Sequence, residues 1–315
     1  MKLEKIISSS QDFLSLQQEI KDGKISKSML LITKDEHYSY EFAMLFAAML
    51  FNDGQLIENE NYLKVQNLSH PDLKIYPQKD KIMVADSDNI VEESSIKPIF
   101  ANKKVFILRN IDQGTEQAQN KLLKTLEEPA HNVYFILTTS NINQVLPTIR
   151  SRCNKIELAK LPKELISRLC EGDELVAALS DGYAGRAMTL ASNENLHKLF
   201  DSTLAVVARL KSSKNLLSFS KDLASFKNEF DLVVEIMSLI FEDMLFVKVG
   251  KLDKVKFKNH LSVIKECESE YSIKAIAEIR KLLDGAVKEM LCNCNFTLIL
   301  ENLLLNILEV KYICR

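Results

Sequence analysis

Apolar residues come in short, dense runs through the first half of the chain and at helical spacing through the second. Runs at Met29–Thr33, Ile82–Asp86, Val105–Leu108, Val133–Thr139 and Ile156–Ala159 read as strands, several apolar on both faces, as in a buried parallel sheet. Between them, periodic patterns predict helices over Tyr40–Phe51, Ile90–Phe100 and Glu116–Glu128. Strand–helix alternation of this kind predicts an α/β domain, a five-stranded parallel sheet flanked by helices. In Glu116–Glu128, Ala118, Leu122, Leu123 and Leu126 share one face, while Lys121, Lys124 and Glu128 share the other; Thr115 is placed to cap the start and Pro129 to force the stop. Beyond Leu161 the pattern is helical only. A short segment from Pro162 to about Asn195 carries a Gly-x-x-Gly turn at Gly182 and Gly185. Longer helices are predicted at Phe230–Val249, Lys254–Glu268, Ile273–Leu291 and Phe296–Val310, with wide apolar stripes that need partner helices.

Length divides this pattern into two or three domains, since 315 residues exceed one small core. Basic and acidic side chains nearly balance, 41 against 43, which excludes a strongly basic nucleic-acid coat but not a local basic patch. The N-terminus has no apolar run, and Phe296–Val310 is interrupted by Glu301, Asn302, Asn306 and Glu309; a cytoplasmic protein is expected. Six scattered cysteines contain no C-x-x-C pair. Cys292 and Cys294, two apart, have no matching second pair, so reduced thiols and no metal are expected.

Candidate chemistry lies where a nucleotide would sit in such a sheet. A phosphate loop needs glycines for backbone N–H groups to close on phosphate and a lysine to neutralise charge. No glycine occurs between Gly23 and Gly54, and the connection expected there, Lys34–Glu41, reads KDEHYSYE. Lys34, His37, Ser39, Tyr40 and Glu41 thus mark a degenerate phosphate loop in which Asp35, Glu36 and Glu41 repel a triphosphate. At the end of the next buried strand, where an Asp-Glu pair would hold magnesium, stand Arg109 and Asn110; Asp112 lies beyond, on a loop. Arg152, after the Thr139–Arg150 segment and before the last strand, has a guanidinium suited to bridging phosphate oxygens. By position alone it is equally placed to pair with a nearby carboxylate, and Arg150 competes with it. His70, in SHPDL, is expected to be a turn element rather than a base. No nucleophile–histidine–acid set is evident.

The stretch NKLLKTLEEP (Asn120–Pro129), followed by SRC (Ser151, Arg152, Cys153) and preceded by HPDL (His70–Leu73), resembles the AAA+ clamp-loader family of bacterial DNA polymerase III, and within it the delta-prime type of subunit. DGYAGRAMTLA (Asp181–Ala191), LIFEDMLFVKVG (Leu239–Gly250) and NCNFTLILENLLLNIL (Asn293–Leu308) extend the likeness along the chain. The resemblance implies an AAA+ nucleotide-switch domain (1–160), a small helical lid (161–195) and an all-α collar (196–315). It implies a ring shared with gamma/tau motor subunits and a delta subunit, acting on a sliding clamp and primer–template DNA. It further implies that Arg152 is an arginine finger offered in trans to a neighbour's ATP, with Thr139 near a sensor position.

Departures from the family pattern all point away from a motor subunit. The phosphate loop is degraded beyond loss of its lysine. Phe51–Ser69 has no cysteine and no room for the zinc module many family members carry. Gly185 stands where motor subunits place a sensing arginine, with Arg186 one position on. The expectation is therefore a subunit with no ATPase activity and no cofactor of its own, within the polymerase assembly. Lys121 and Lys124 are possible DNA contacts. The alternatives are a degenerate AAA+ scaffold serving another complex or an active gamma/tau-type ATPase; a delta subunit is not expected to keep both LLKTLEEP and SRC.

Overall fold

The computed structural model describes residues 2–77, 81–210, 216–291 and 295–314. These fall into two compact units, residues 1–171 with 182–188, and residues 172–181 with 189–315. The segment expected as a lid contributes to both. Strands are β1 (Ser28–Ile32), β2 (Leu73–Tyr76), β3 (Lys104–Leu108), β4 (Val133–Thr139) and β5 (Asn154–Glu157). The helices of the first unit are α1 (Leu3–Ser8), α2 (Gln11–Lys21), α3 (Glu36–Phe51), α4 (Glu60–Gln66), α5 (Val84–Ser95), α6 (Glu116–Glu127), α7 (Pro147–Arg150) and α8 (Lys163–Leu169). Then follow α9 (Glu174–Ser180), α10 (Ala184–Ala191), α11 (Leu196–Arg209), α12 (Leu216–Ala224), α13 (Phe230–Lys248), α14 (Leu261–Glu268), α15 (Ile273–Leu291) and α16 (Phe296–Ile313).

The expected five-stranded parallel sheet is present, in the order β2-β3-β4-β1-β5. Successive side chains of its central strands enter cores on opposite faces: Met29, Leu31, Val105, Ile107 and Ile136 on one, Leu30, Phe106, Leu108, Phe135 and Leu137 on the other. That two-sided burial is why the strands read as continuous apolar runs. Helix α3 is apolar all round because almost every residue from Phe42 to Phe51 is buried. On the opposite face α6 buries Ala118, Leu122 and Leu126, and Ser28 Oγ donates to the Leu126 carbonyl at 2.8 Å, fixing the end of α6 to the start of β1.

Several boundaries differ from the sequence pattern, β5 among them, which runs over Asn154–Glu157 instead of Ile156–Ala159 because its pairing with β1 starts opposite Met29. No strand forms at Ile82–Asp86: Ile82 is buried, but Asp86 accepts the Met83 N–H at 2.8 Å and starts α5 there. Helix α5 then ends at Ser95, short of Pro98, instead of running over Ile90–Phe100; the residues before a proline are pushed out of helical conformation. The second strand is instead the four-residue edge strand Leu73–Tyr76, half polar and too short to announce itself. In the second unit, the helix expected from Lys254 begins only at Leu261. Asp243, fully buried in α13, accepts the N–H groups of Lys256 and Phe257 at 2.9 Å each, and Glu174 accepts those of Lys258 and Asn259. Donors captured by carboxylates are withheld from a helical ladder. Burial pushes the Asp243 carboxyl above the usual carboxylate range, against the two backbone donors and the nearby Lys256, which pull it down.

The second unit is otherwise helical, with α13 packed against α11, α14 and α15, and α16 against α12 and α15. Edge-to-face ring pairs, Phe230 with Phe296 and Phe241 with Tyr271, tie α13 to its neighbours. No helix among the described residues is long and apolar enough to cross a membrane. Among them no three His, Cys, Asp or Glu side chains converge as a metal site; Cys292 and Cys294 lie outside the described residues.

Candidate functional site

The start of α3 corrects the expected Lys34–Glu41 loop. Helix α3 begins at Glu36, so His37, Ser39, Tyr40 and Glu41 are helical and only Thr33–Asp35 connect it to β1. The cause is Asp35. Its carboxylate accepts the Tyr38 N–H at 3.0 Å and so caps the helix, while Oδ2 accepts the Gly185 N–H from α10 at 2.9 Å. The N-terminus of a helix following the first strand is the natural anion site of such a sheet. Here the chain's own buried carboxylate holds that place. Lys34 and His37 are exposed, and Ser39 is buried with its hydroxyl donating to the Glu36 carbonyl at 3.0 Å.

Gly185 is glycine for a local reason. A Cβ there would lie 2.5 Å from the His37 Cβ and closer still to Asp35 Oδ1. Both obstacles are held, one by the helix backbone and one by two hydrogen bonds. Gly185→Ala is therefore expected to destabilise the first unit by about 1–3 kcal/mol. Thermal unfolding checks this; a midpoint equal to that of the parent chain would refute the close approach.

At the end of β3, Arg109 lays its guanidinium over the Tyr40 ring, 4.6 Å from the centroid, and with His70 the two line a cavity of about 300 Å³. Burial raises the Tyr40 hydroxyl pKa, with Arg109 pulling the other way. Asn110 is left-handed, with φ 48°, a conformation asparagine tolerates. Its N–H donates to Thr138 Oγ1 at 3.0 Å and its amide donates to Glu36 Oε2 at 2.8 Å. The two positions where carboxylates would bind magnesium thus present a cation and a committed donor. Asp112, buried in a 3-10 turn, accepts from the Ser140 hydroxyl at 3.1 Å. Thr139 is buried, its Oγ1 accepting the Asn141 N–H.

Arg152 lies elsewhere. It precedes β5, whose Asn154 is level with Met29 near the start of β1. It therefore sits at the sheet edge where strands begin, while Asp35, Arg109, Asn110 and Thr139 lie where strands end. Roughly 13 Å of strand separates the two edges. Arg152 Nε donates to Glu127 Oε2 at 2.8 Å and Nη1 to the Thr148 carbonyl at 3.0 Å. Ser151, exposed, donates to the same carbonyl. Cys153 is buried, and burial pushes its thiol up to about 12, far from thiolate chemistry. Arg150 keeps a buried Nε with no hydrogen-bond partner.

Helix α6 supports this corner. Thr115 caps it by accepting the Ala118 N–H at 3.2 Å. Gln119, buried, accepts the Leu146 N–H at 2.9 Å and donates to the Gly114 and Gln144 carbonyls, pinning the connection into α7. Lys121 is ion-paired with Asp88 of α5, and Lys124 is exposed. The sequence did not single out Gln119 or Glu127. Gln119 lies next to the apolar stripe, the one signal that it was buried; Glu127 has the look of any exposed helical glutamate.

The HPDL segment is bound into the first unit by ring stacking and hydrogen bonds. His70 is buried and stacked on Phe51 at 3.9 Å, and its Nδ1 accepts the Asp72 N–H at 3.2 Å. Burial holds its imidazole below the ordinary histidine pKa. Asp72 accepts the N–H groups of Ile99, Phe100 and Ala101, each at 2.7 Å.

Comparison with known proteins adds the following. Residues 9–162 match the family model described as DNA polymerase III, delta subunit. The chain is 26% identical over 311 residues to the DNA polymerase III subunit delta' of Bacillus subtilis, covering 93% of this chain and 94% of that one. It is 24% identical to the tau subunit of the same organism over 64% of this chain and 42% of that one. A solved gamma subunit-related protein of Thermotoga maritima superposes with TM-score 0.49 at 21% identity, over 96% of this chain and all of that one.

Proposed function

We propose that this chain, which belongs to the clamp-loader subunit family of bacterial DNA polymerase III, is a delta-prime-like subunit that hydrolyses no ATP itself and lends Arg152 in trans to the ATP site of a neighbouring motor subunit. The observation that carries the reading is the opposition of the two sheet edges. Arg152 cannot reach the strand ends of its own sheet, and those ends hold a carboxylate where phosphate would bind. In a ring, one surface of each subunit meets a different surface of the next. A chain with its arginine edge intact and its nucleotide edge filled fits a position needing one competent face. The guanidinium supplies planar, permanently charged donors to the oxygens of the neighbour's γ-phosphate as charge spreads over them.

In this reading residues 1–160 are the AAA+ domain, 161–195 the lid and 196–315 the collar that joins gamma/tau and delta subunits in the cytoplasm. The assembly acts on the sliding clamp and primer–template DNA. Lys124, exposed and positive, is the better placed of the two α6 lysines to meet a phosphate, since Lys121 is engaged with Asp88. A second reading, a scaffold of another complex in which Arg152 serves only its own ion pair, is favoured by the Glu127 contact alone.

The test is reconstitution with the cognate motor and delta subunits, sliding clamp and primed DNA. The expected result is a stable assembly that hydrolyses ATP, and a purified chain that hydrolyses none. Hydrolysis by the purified chain, or its failure to enter the assembly, overturns the proposal.

A further inference from the structure

We infer that Glu127 is a positioning residue for Arg152, holding the guanidinium so that its free donors face outward, toward a neighbour's nucleotide; this rests on the trans role proposed above. Three observations carry it. First, the guanidinium is gripped at its root. Nε donates to Glu127 Oε2 at 2.8 Å and Nη1 to the Thr148 carbonyl at 3.0 Å. A guanidinium has five N–H groups, so two bonds within the chain leave three, both on Nη2 among them, without a partner in these contacts. The carboxylate takes Nε rather than the terminal Nη fork, so it leaves Nη2 uncommitted.

Second, the pair has little structural value. Arg152 is 30% and Glu127 54% exposed at the side chain, and pairs so exposed contribute little to stability. Third, both grips are themselves fixed by α6. Glu127 is its last residue, and Ser28 anchors the preceding turn through the Leu126 carbonyl. Gln119, two turns earlier, fixes Leu146 at the entry to α7, which carries Thr148. One helix therefore sets both the carboxylate and the carbonyl that aim the arginine. Preorganised donors need no rearrangement at the moment of reaction.

The experiment uses the full reconstituted assembly. It reads the single-turnover hydrolysis rate at the site this chain faces, together with nucleotide affinity from a fluorescent ATP analogue. Glu127→Ala is expected to lower the rate about tenfold, the scale set by the rotamer freedom an unheld arginine regains, with nucleotide affinity unchanged. Glu127→Gln, whose amide oxygen still accepts from Nε, is expected to recover most of the rate. In an Arg152→Ala background, Glu127→Ala is expected to add nothing, because it acts only through the arginine. If Arg152→Ala slows hydrolysis but Glu127→Ala does not, or adds a separate loss, this inference falls while the trans role stands. If Glu127→Ala speeds hydrolysis, the glutamate restrains the arginine instead, and the inference also falls. If Arg152→Ala is without effect, both fall together. Size-exclusion chromatography of each variant assembly separates these outcomes from a failure to assemble.

Discussion

Replacing Arg152 by alanine is expected, on the trans role proposed above, to slow hydrolysis at the neighbouring ATP site about 10³-fold or more, the range in which arginine fingers act. On that role the loss is confined to one site of the assembly, so steady-state turnover understates it. The informative readout is the single-turnover burst, which should fall short by the contribution of one site. Arg152→Lys is expected to restore little of it, because a lysine offers a point charge where a planar fork is needed. The variant is expected to fold and assemble normally, since what it loses within the chain is a partly exposed ion pair and one bond to a carbonyl. An undiminished burst in an intact assembly would reduce Arg152 to a surface contact and with it the reading of this chain as a contributor to catalysis.

The largest effect on stability is expected at Asp72. Its carboxylate, 1% exposed, is the acceptor for three consecutive N–H groups between α5 and β3. Asp72→Ala removes three charge-assisted bonds at once. The loss is expected to be about 3–4 kcal/mol, less than the sum of three such bonds because Ile99 and Phe100 lie at the surface. Asp72→Asn, with one acceptor oxygen left, is expected to lose about half as much. For a unit of this size, 3 kcal/mol lowers the unfolding midpoint by roughly 6–12 °C. A shift smaller than a few degrees would show that water or the neighbouring loop satisfies those donors. The register of β3 also depends on this carboxylate's backbone, since the Val105 N–H donates to the Asp72 carbonyl at 2.9 Å.

What the sequence disclosed, and what it withheld, follows from burial. β1, β3 and β4 are covered on both faces, so their central residues had to be apolar in succession, and the pattern could not be missed. β2 is an edge strand in which Lys74 alternates with Leu73 and Ile75, so it carried no such mark. The start of α3 does not show in the apolar pattern, because Asp35 reads as a charge repelling phosphate before it reads as a cap. It is both, and the cap decides where the helix begins. Arg152 is marked as a candidate by its motif. Its partner Glu127 is not, because nothing in a run of helical glutamates says which one a loop 25 residues away will meet. The late start of α14 was hidden for a similar reason: the donors before it are captured by Asp243 and Glu174, distant in sequence.

Asp35 has a consequence for how the first unit answers to its surroundings. A ligand entering at the start of α3 does not meet an empty seat but competes with a tethered rival. A group attached to the same chain acts at an effective concentration of about millimolar or above, and a preorganised one far higher. To win, a triphosphate must expel the carboxylate from the helix end, sever its bond to Gly185, and then lie beside two negative charges, the displaced Asp35 and the exposed Glu36. The first unit therefore behaves as a receptor saturated by its own side chain. Its bond from Gly185 to Asp35 is expected to keep one setting whether or not nucleotide is present.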